Sequence, residues 1–364
     1  MTTAEARAQV WDPAGFRSRL QSALDVFLAE QGERLAPLGP DALRLHQEAC
    51  RAVSGGKRFR AAFCYWGFRA VRPTDPEPVH EDWLLRACAA LEILHASALA
   101  HDDFMDASDT RRGHPSTHRA FEAEHRDARW AGDPEQYGAA AAILLGDLLL
   151  SWADELLRRC GFPLTQVAPA LDLFDRCRSE VITGQFLDVS VQARGAADVD
   201  AAMRVLRYKS AKYSVERPLH IGAALAGATP EVLDDLTAVG LPLGEAFQLR
   251  DDLLGVYGDP SVTGKPAGDD LVEGKRTVLV ALALDGAGPE DAALLDRALG
   301  TPLDGAAVTR LRGIIDESGA HGQVEGAITA LAERALEALD RARVDDGARS
   351  VLRSLAAATT DRAV

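Results

Sequence analysis

Apolar residues recur along this chain at intervals of three and four, the period of a helix that buries one face. Phe16, Leu20, Leu24, Phe27 and Leu28 form one such stripe. Leu84, Leu85, Cys88, Leu91, Glu92 and His95 lead into a second that runs on to Asp106. Further helices are predicted over about 135–160, 166–193, 198–227, 231–256 and 289–340. Breakers stand where helix ends need them, at Gly39-Pro40, Gly55-Gly56, Pro73, Gly161 to Pro163, Thr229-Pro230 and Gly258 to Pro260. No run of strand-like alternation is convincing; Val278 to Leu284 comes nearest and fits a buried helix equally well. No polar linker divides the pattern, so the fold class is all-α, with residues 1–364 forming one domain built as a single large helical bundle. The first dozen residues and Asp361 to Val364 read as disordered ends.

Composition narrows the function. With 47% hydrophobic residues in 364, the chain can bury a sizeable core. Its 40 Lys and Arg against 55 Asp and Glu give a net charge of −15, which excludes a general nucleic-acid binder and makes any local basic cluster informative. Cys50, Cys64, Cys88, Cys160 and Cys177 are scattered without a CxxC pair, as expected of reduced thiols in a cytoplasmic protein. The N-terminus lacks the apolar core of a signal peptide. The most apolar stretch, Ala139 to Trp152, is interrupted by Asp147 and too short for a transmembrane segment.

Two acidic groups carry the candidate chemistry. Asp102 and Asp106 are four residues apart, which on a helix puts both carboxylates on one face with Asp103 beside them. Such carboxylates are hard oxygen ligands suited to Mg²⁺, an ion commonly completed by water and substrate phosphates. Arg111 and Arg112 follow at once, with the planar fork that suits phosphate oxygens, although an isolated pair of this kind equally suits a solvated helix end. Asp251 and Asp252, with Phe247 and Gln248 one turn earlier, repeat the theme near the end of another long helix. Downstream, Gly264 to Lys275 sets Lys265 and Lys275 among glycines. Upstream, Gly55-Gly-Lys-Arg-Phe-Arg60 places Lys57 and Arg60 near a helix N-terminus, a position that favours anions.

In this order the segments GGKRFR (55–60), ExLH…HDDFMD (92–106), RRGxPS (111–116), GQxxD (184–188), YKSAKY (208–213), FQxRDD (247–252) and GKPxGDDLxEGK (264–275) resemble the trans-isoprenyl diphosphate synthases of the polyprenyl synthetase family, in the group containing geranylgeranyl diphosphate synthases. The motif-bearing core covers about residues 50–285, and residues 290–364 match only as a helical C-terminal part. The resemblance implies a bundle around a deep central cavity, a homodimer, and an all-helical enzyme that joins isopentenyl diphosphate to an allylic diphosphate (dimethylallyl, geranyl or farnesyl). It implies three Mg²⁺ ions per active site, two on Asp102 and Asp106 supported by Asp103, and one on Asp251 beside Asp252. It assigns Arg111, Lys209, Gln248 and Lys265 to the allylic diphosphate, Lys57, Arg60, His95 and Arg112 to isopentenyl diphosphate, and a more distant phosphate contact to Lys275. Lys209, Ser210 and Gln248 would face the reacting centre.

One departure stands out. Gly255 replaces the last Asp that the family's second motif often carries, with Asp259 as a backup. One carboxylate suffices for the third ion, so Gly255→Asp is expected to change activity little. Product length is expected at C20 or somewhat longer, because Ser97 and Ala98 are small where bulky aromatics in the family stop growth at C15. Without such a floor the product tail would pass to the level of Leu94. The competing reading is that Ser97 and Ala98 are small to let two helices pack closely. Rival functions are a farnesyl diphosphate (C15) synthase, a class I terpene cyclase, which would lack the GGKR segment, and a non-catalytic subunit, which would lose the first carboxylates.

Overall fold

The computed structural model describes residues 11–74, 78–195, 198–258 and 268–360. The disordered ends expected from the sequence therefore lie almost wholly outside the described residues. Proline opens many of the helices, where its missing N–H costs nothing and its fixed φ suits the first turn. It does so in α1 (Pro13–Leu35), α2 (Pro40–Val53), α6 (Pro134–Arg158) and α10 (Pro230–Tyr257). Asp12 and Asp133 cap α1 and α6 by accepting first-turn N–H groups. Between these run α3 (Phe59–Val71), α4 (Pro78–Met105), α5 (Thr117–Ala128), α7 (Leu164–Arg194), α8 (Val199–Val205) and α9 (Arg217–Leu225). A π-helical stretch, Leu206–Glu216, joins α8 to α9.

The α1 stripe is buried as predicted, from Phe16 at 1% exposure to Leu28 at 4%. It joins a large core with α3, α4, α6, α7 and α9. A second core gathers the end of α10 with α11 (Asp269–Glu273), α12 (Val278–Gly286), α13 (Pro289–Ala298), α14 (Gly305–Glu317) and α15 (Ala320–Arg341). The final helix, α16 (Asp346–Thr360), returns to the first core.

Three expectations are corrected. The segment 289–340 is three helices, broken where Leu299 leaves helical geometry and where Gly319 takes a left-handed φ of 78°. A two-residue antiparallel ladder, β1 (Thr110–Arg111) with β2 (His114–Pro115), closes the turn after α4. The expectation that Ala139 to Trp152 is the most apolar stretch is corrected: among the described residues the one helix long and apolar enough to cross a membrane is Val79–Met105, and 72% of its most apolar window is buried within the bundle.

Candidate active site

The buried face of α4 gives way to carboxylates in its last turns, and the helices packed against it supply the matching cations. Asp102 Oδ1 lies 3.0 Å from Lys209 Nζ, which also bonds Asp188 Oδ2 of α7 at 2.6 Å. Asp106 Oδ2 lies 3.4 Å from Lys275 Nζ, which also approaches Asp270 at 3.5 Å and Glu273 at 2.5 Å. Asp103 turns aside, buried, to take a forked bond from Arg111 of β1, whose Nε donates to its two oxygens at 2.9 and 3.2 Å.

Lys209 and Ser210 owe their places to the π-helical stretch, a widened winding that recurs at functional sites. It comes so near α7 that a Cβ on Gly184 would lie 2.3 Å from the Lys209 amide nitrogen. Any side chain at position 184 would therefore push Lys209 away from Asp102.

From the facing wall, α10 presents Gln248 and Asp251 to the cavity, and Gln248 Nε2 donates to Asp252 Oδ1 at 2.8 Å. The structure explains Gly255. A Cβ there would stand 2.0 Å from Asp270 Oδ2, so the α11 carboxylate occupies the space beside the helix. An aspartate at 255 would therefore have to displace the Asp270 side chain. Asp259 and Lys265 lie outside the described residues.

Burial pushes the Asp252 carboxyl up to about 8, with Asp270 and Asp251 adding to the shift against the Gln248 hydrogen bond. Burial and then the charge of Asp102 bring Asp106 to about 6. Burial also opposes ionisation of Asp102, but Lys209, Lys275 and Arg111 outweigh it and hold this carboxyl well below its usual range. Neither Asp106 oxygen accepts a hydrogen bond among the described residues, although both are buried. Such oxygens fit a hard cation. Among the described residues no group of three or more His, Cys, Asp or Glu is gathered tightly enough to hold a metal alone.

A second cluster of cations sits beside the first. Lys57, Arg60, His95 and Arg112 all line the cavity. The Arg60 guanidinium lies 4.2 Å from the centre of the Tyr213 ring and donates to Ser214 Oγ at 2.8 Å. His95 Nδ1 meets the Tyr213 hydroxyl at 2.6 Å, and burial followed by Arg60 drives its pKa well below the ordinary value. It is a neutral polar contact, not a cation.

The same cavity, of about 1190 Å³, also has apolar lining, with Ala98 and Leu99 of α4 and Val181, Ile182 and Phe186 of α7. The proposed chain-length residues separate here. Ala98 lines the cavity, whereas Ser97, 2% exposed, donates to the Gly146 carbonyl of α6 at 2.7 Å, and Leu94 is packed into the core. For Ser97 the close-packing explanation of its size holds: it faces a neighbouring helix. The sequence reading missed Asp188 and Asp270 as members of the site. Each lies in a quoted motif, but Asp188 meets Lys209 and Asp270 meets α10 at Gly255 across elements, and no local spacing reveals that.

The family model for polyprenyl synthetases matches residues 44–315. Geranylfarnesyl diphosphate synthase of Aeropyrum pernix is 32% identical over 291 residues, 79% of this chain and 84% of that one. A (2E,6E)-farnesyl diphosphate synthase of Mycobacterium tuberculosis is 33% identical over 259 residues, 70% of this chain and 65% of that one. Among solved structures, geranylgeranyl pyrophosphate synthase from Corynebacterium glutamicum, complexed with isoprenyl diphosphate and magnesium, superposes with a TM-score of 0.93 at 40% identity, over 97% of this chain and all of that one. With a family match across most of its length and the acidic and basic clusters converging on one cavity, the chain belongs to the polyprenyl synthetase family.

Proposed function

We propose that this chain is a chain-elongating trans-prenyltransferase that condenses isopentenyl diphosphate with an allylic diphosphate (dimethylallyl, geranyl or farnesyl), giving geranylgeranyl diphosphate or a somewhat longer product. The observation that carries this reading is a single cavity lined both by carboxylates interleaved with cations and by apolar side chains. A diphosphate with a hydrocarbon tail matches both kinds of lining. Asp102 and Asp106 on one wall and Asp251 on the other would hold magnesium, up to three ions, which draws charge from the diphosphate leaving group.

The protein's own groups do the rest. Lys209, Lys275 and Arg111, paired with carboxylates, are placed to grip the allylic diphosphate. Departure of that group leaves an allylic cation. Ser210 and the Gln248 amide line the cavity and offer it oriented dipoles without a nucleophile that would trap it. Lys57, Arg60, His95 and Arg112 hold isopentenyl diphosphate alongside. Its double bond supplies the electron pair for the new carbon–carbon bond, and the proton then lost passes to the departing diphosphate.

Exposed apolar side chains outside the cavity, Ile143 and Leu144 on α6, support pairing of two copies. The five free cysteines suit the cytoplasm. Incubation with isopentenyl diphosphate, each allylic starter and magnesium, followed by dephosphorylation and chromatography, tests the reading. C20 or longer alcohols are expected; a product that stops at C15 overturns the length, a cyclised hydrocarbon or no product overturns the reaction.

A further inference from the structure

The loop that brings Lys57 and Arg60 to the cavity is fastened by the residue between them. Arg58, at the entry to α3, has a left-handed backbone with φ of 60°, which a non-glycine residue keeps only where its surroundings enforce it. Its side chain shows the enforcement. The guanidinium is buried, donating to Glu92 Oε2 at 3.1 Å, to Gln21 Oε1 at 2.8 Å and to the Val53 carbonyl at 2.7 Å. Glu92 of α4 is buried as well, and its other oxygen accepts the Ala61 N–H at 3.1 Å. That N–H belongs to the first turn of α3 and has no acceptor within the helix. One carboxylate thus ties down both the residue before α3 and its first turn.

The loop is held from the other side too. Arg112 bonds the Ser54 carbonyl and lies against Gly56, where a Cβ would come within 3.1 Å of its Nη2. Lys57 and Arg60 line the cavity, and the buried Arg58 and Glu92 form part of the same wall. His95, one turn beyond Glu92 on the same helix, faces the cavity from α4.

We propose that Glu92 and Arg58 are a positioning pair for the homoallylic diphosphate, fixing the backbone from Gly55 to Ala61 so that Lys57 and Arg60 converge on one anion. This rests on the proposed function, with Lys57 and Arg60 binding isopentenyl diphosphate. A buried ion pair is weak evidence of stability for its own sake, whereas a pair that sets the register of two flanking cations has a specific use. The polar atoms of the pair are engaged with each other, Gln21, Val53 and Ala61.

The test is a split between substrates. In Glu92→Ala the KM for isopentenyl diphosphate should rise about 10–100-fold, while the allylic KM stays within about twofold and kcat at saturation is largely kept. Glu92→Gln, which retains an acceptor for Ala61, should recover most of the loss. Should Glu92→Ala fail to fold by circular dichroism, Arg58→Lys carries the same expectation, since it keeps the charge but loses the fork. Equal rises in both KM values, or no change in a folded variant, would overturn the proposal. So would a lower KM for isopentenyl diphosphate, the result expected if Glu92 acted only as a negative charge repelling the substrate. Calorimetric titration with isopentenyl diphosphate alone separates this inference from the reaction. A wild-type chain that binds it but makes no product refutes the proposed function, and the ratio of affinities between wild type and Glu92→Ala still decides the role of the pair.

Discussion

Gly255→Asp restores the acid that the second motif lacks, and its Cβ would displace the carboxylate that occupies the space beside the helix. The new Cβ would lie 2.0 Å from Asp270 Oδ2 and 2.4 Å from its Cγ, so the Asp270 side chain must move. Moving it loosens the 3.5 Å contact with Lys275. It also sets a third carboxylate beside Asp270 and Asp252, the latter already pushed up to about 8. Two like charges about 4 Å apart repel by roughly 4 kcal/mol at an effective dielectric of 20. Lys275 and partial protonation offset part of this, leaving a loss of about 1–3 kcal/mol in ion-free protein, or about 1–4 °C in Tm for a chain this long. Gly255→Ala isolates the steric part, because it adds the Cβ without the charge.

Both variants should be melted with and without magnesium and diphosphate. Gly255→Asp should fall below Gly255→Ala in chelator and regain most of the difference when cations are added. Turnover should drop in Gly255→Asp, since Asp270 and Lys275 are displaced together. An unchanged Tm in chelator with unchanged turnover would show that Asp270 does not fill the space beside Gly255, and the reasoning would fall.

Ala98→Phe should shorten the product toward C15 with the first condensation preserved, whereas Ser97→Phe should destabilise the fold by about 1–3 kcal/mol through overpacking against α6; product chromatography and melting curves tell them apart, and identical product shifts would contradict the placement of Ser97. Asp102→Ala or Asp251→Ala should lower kcat by about 10³-fold or more while circular dichroism stays native; near-normal turnover in either, or full turnover in chelator-treated wild type, would sink the metal-assisted reading. Asp106 near 6 and Asp252 near 8 are raised above their unfolded values, so the ion-free fold holds extra protons and loses stability as pH rises from about 4 through 8. Magnesium binding displaces those protons, so its apparent affinity should rise over the same window; calorimetry in buffers of different ionisation enthalpy measures the release, and a pH-independent affinity would refute it.

The sequence by itself determined the helices and the chemical character of the site. A repeat of three and four residues is local information, so the stripe from Phe16 to Leu28 and the long helix ending at Asp106 were legible without neighbours. The same holds for the carboxylates at 102 and 106, because an i, i+4 spacing already fixes a shared face. The π-helical winding around Lys209 was not legible, since it depends on Gly184 letting α7 approach the backbone. Nor was the difference between Ser97 and Ala98. The two are adjacent and equally small, and only the position of α6 decides that one meets a carbonyl while the other lines the cavity. Gly255 read as a missing acid because the carboxylate that fills the space beside it, Asp270, comes from a different helix fifteen residues on. Buried pairs such as Arg58 with Glu92 and Lys209 with Asp188 are of the same kind. Charges that far apart in sequence are brought together by packing of the apolar faces, and it is that packing that gives each carboxylate its partner.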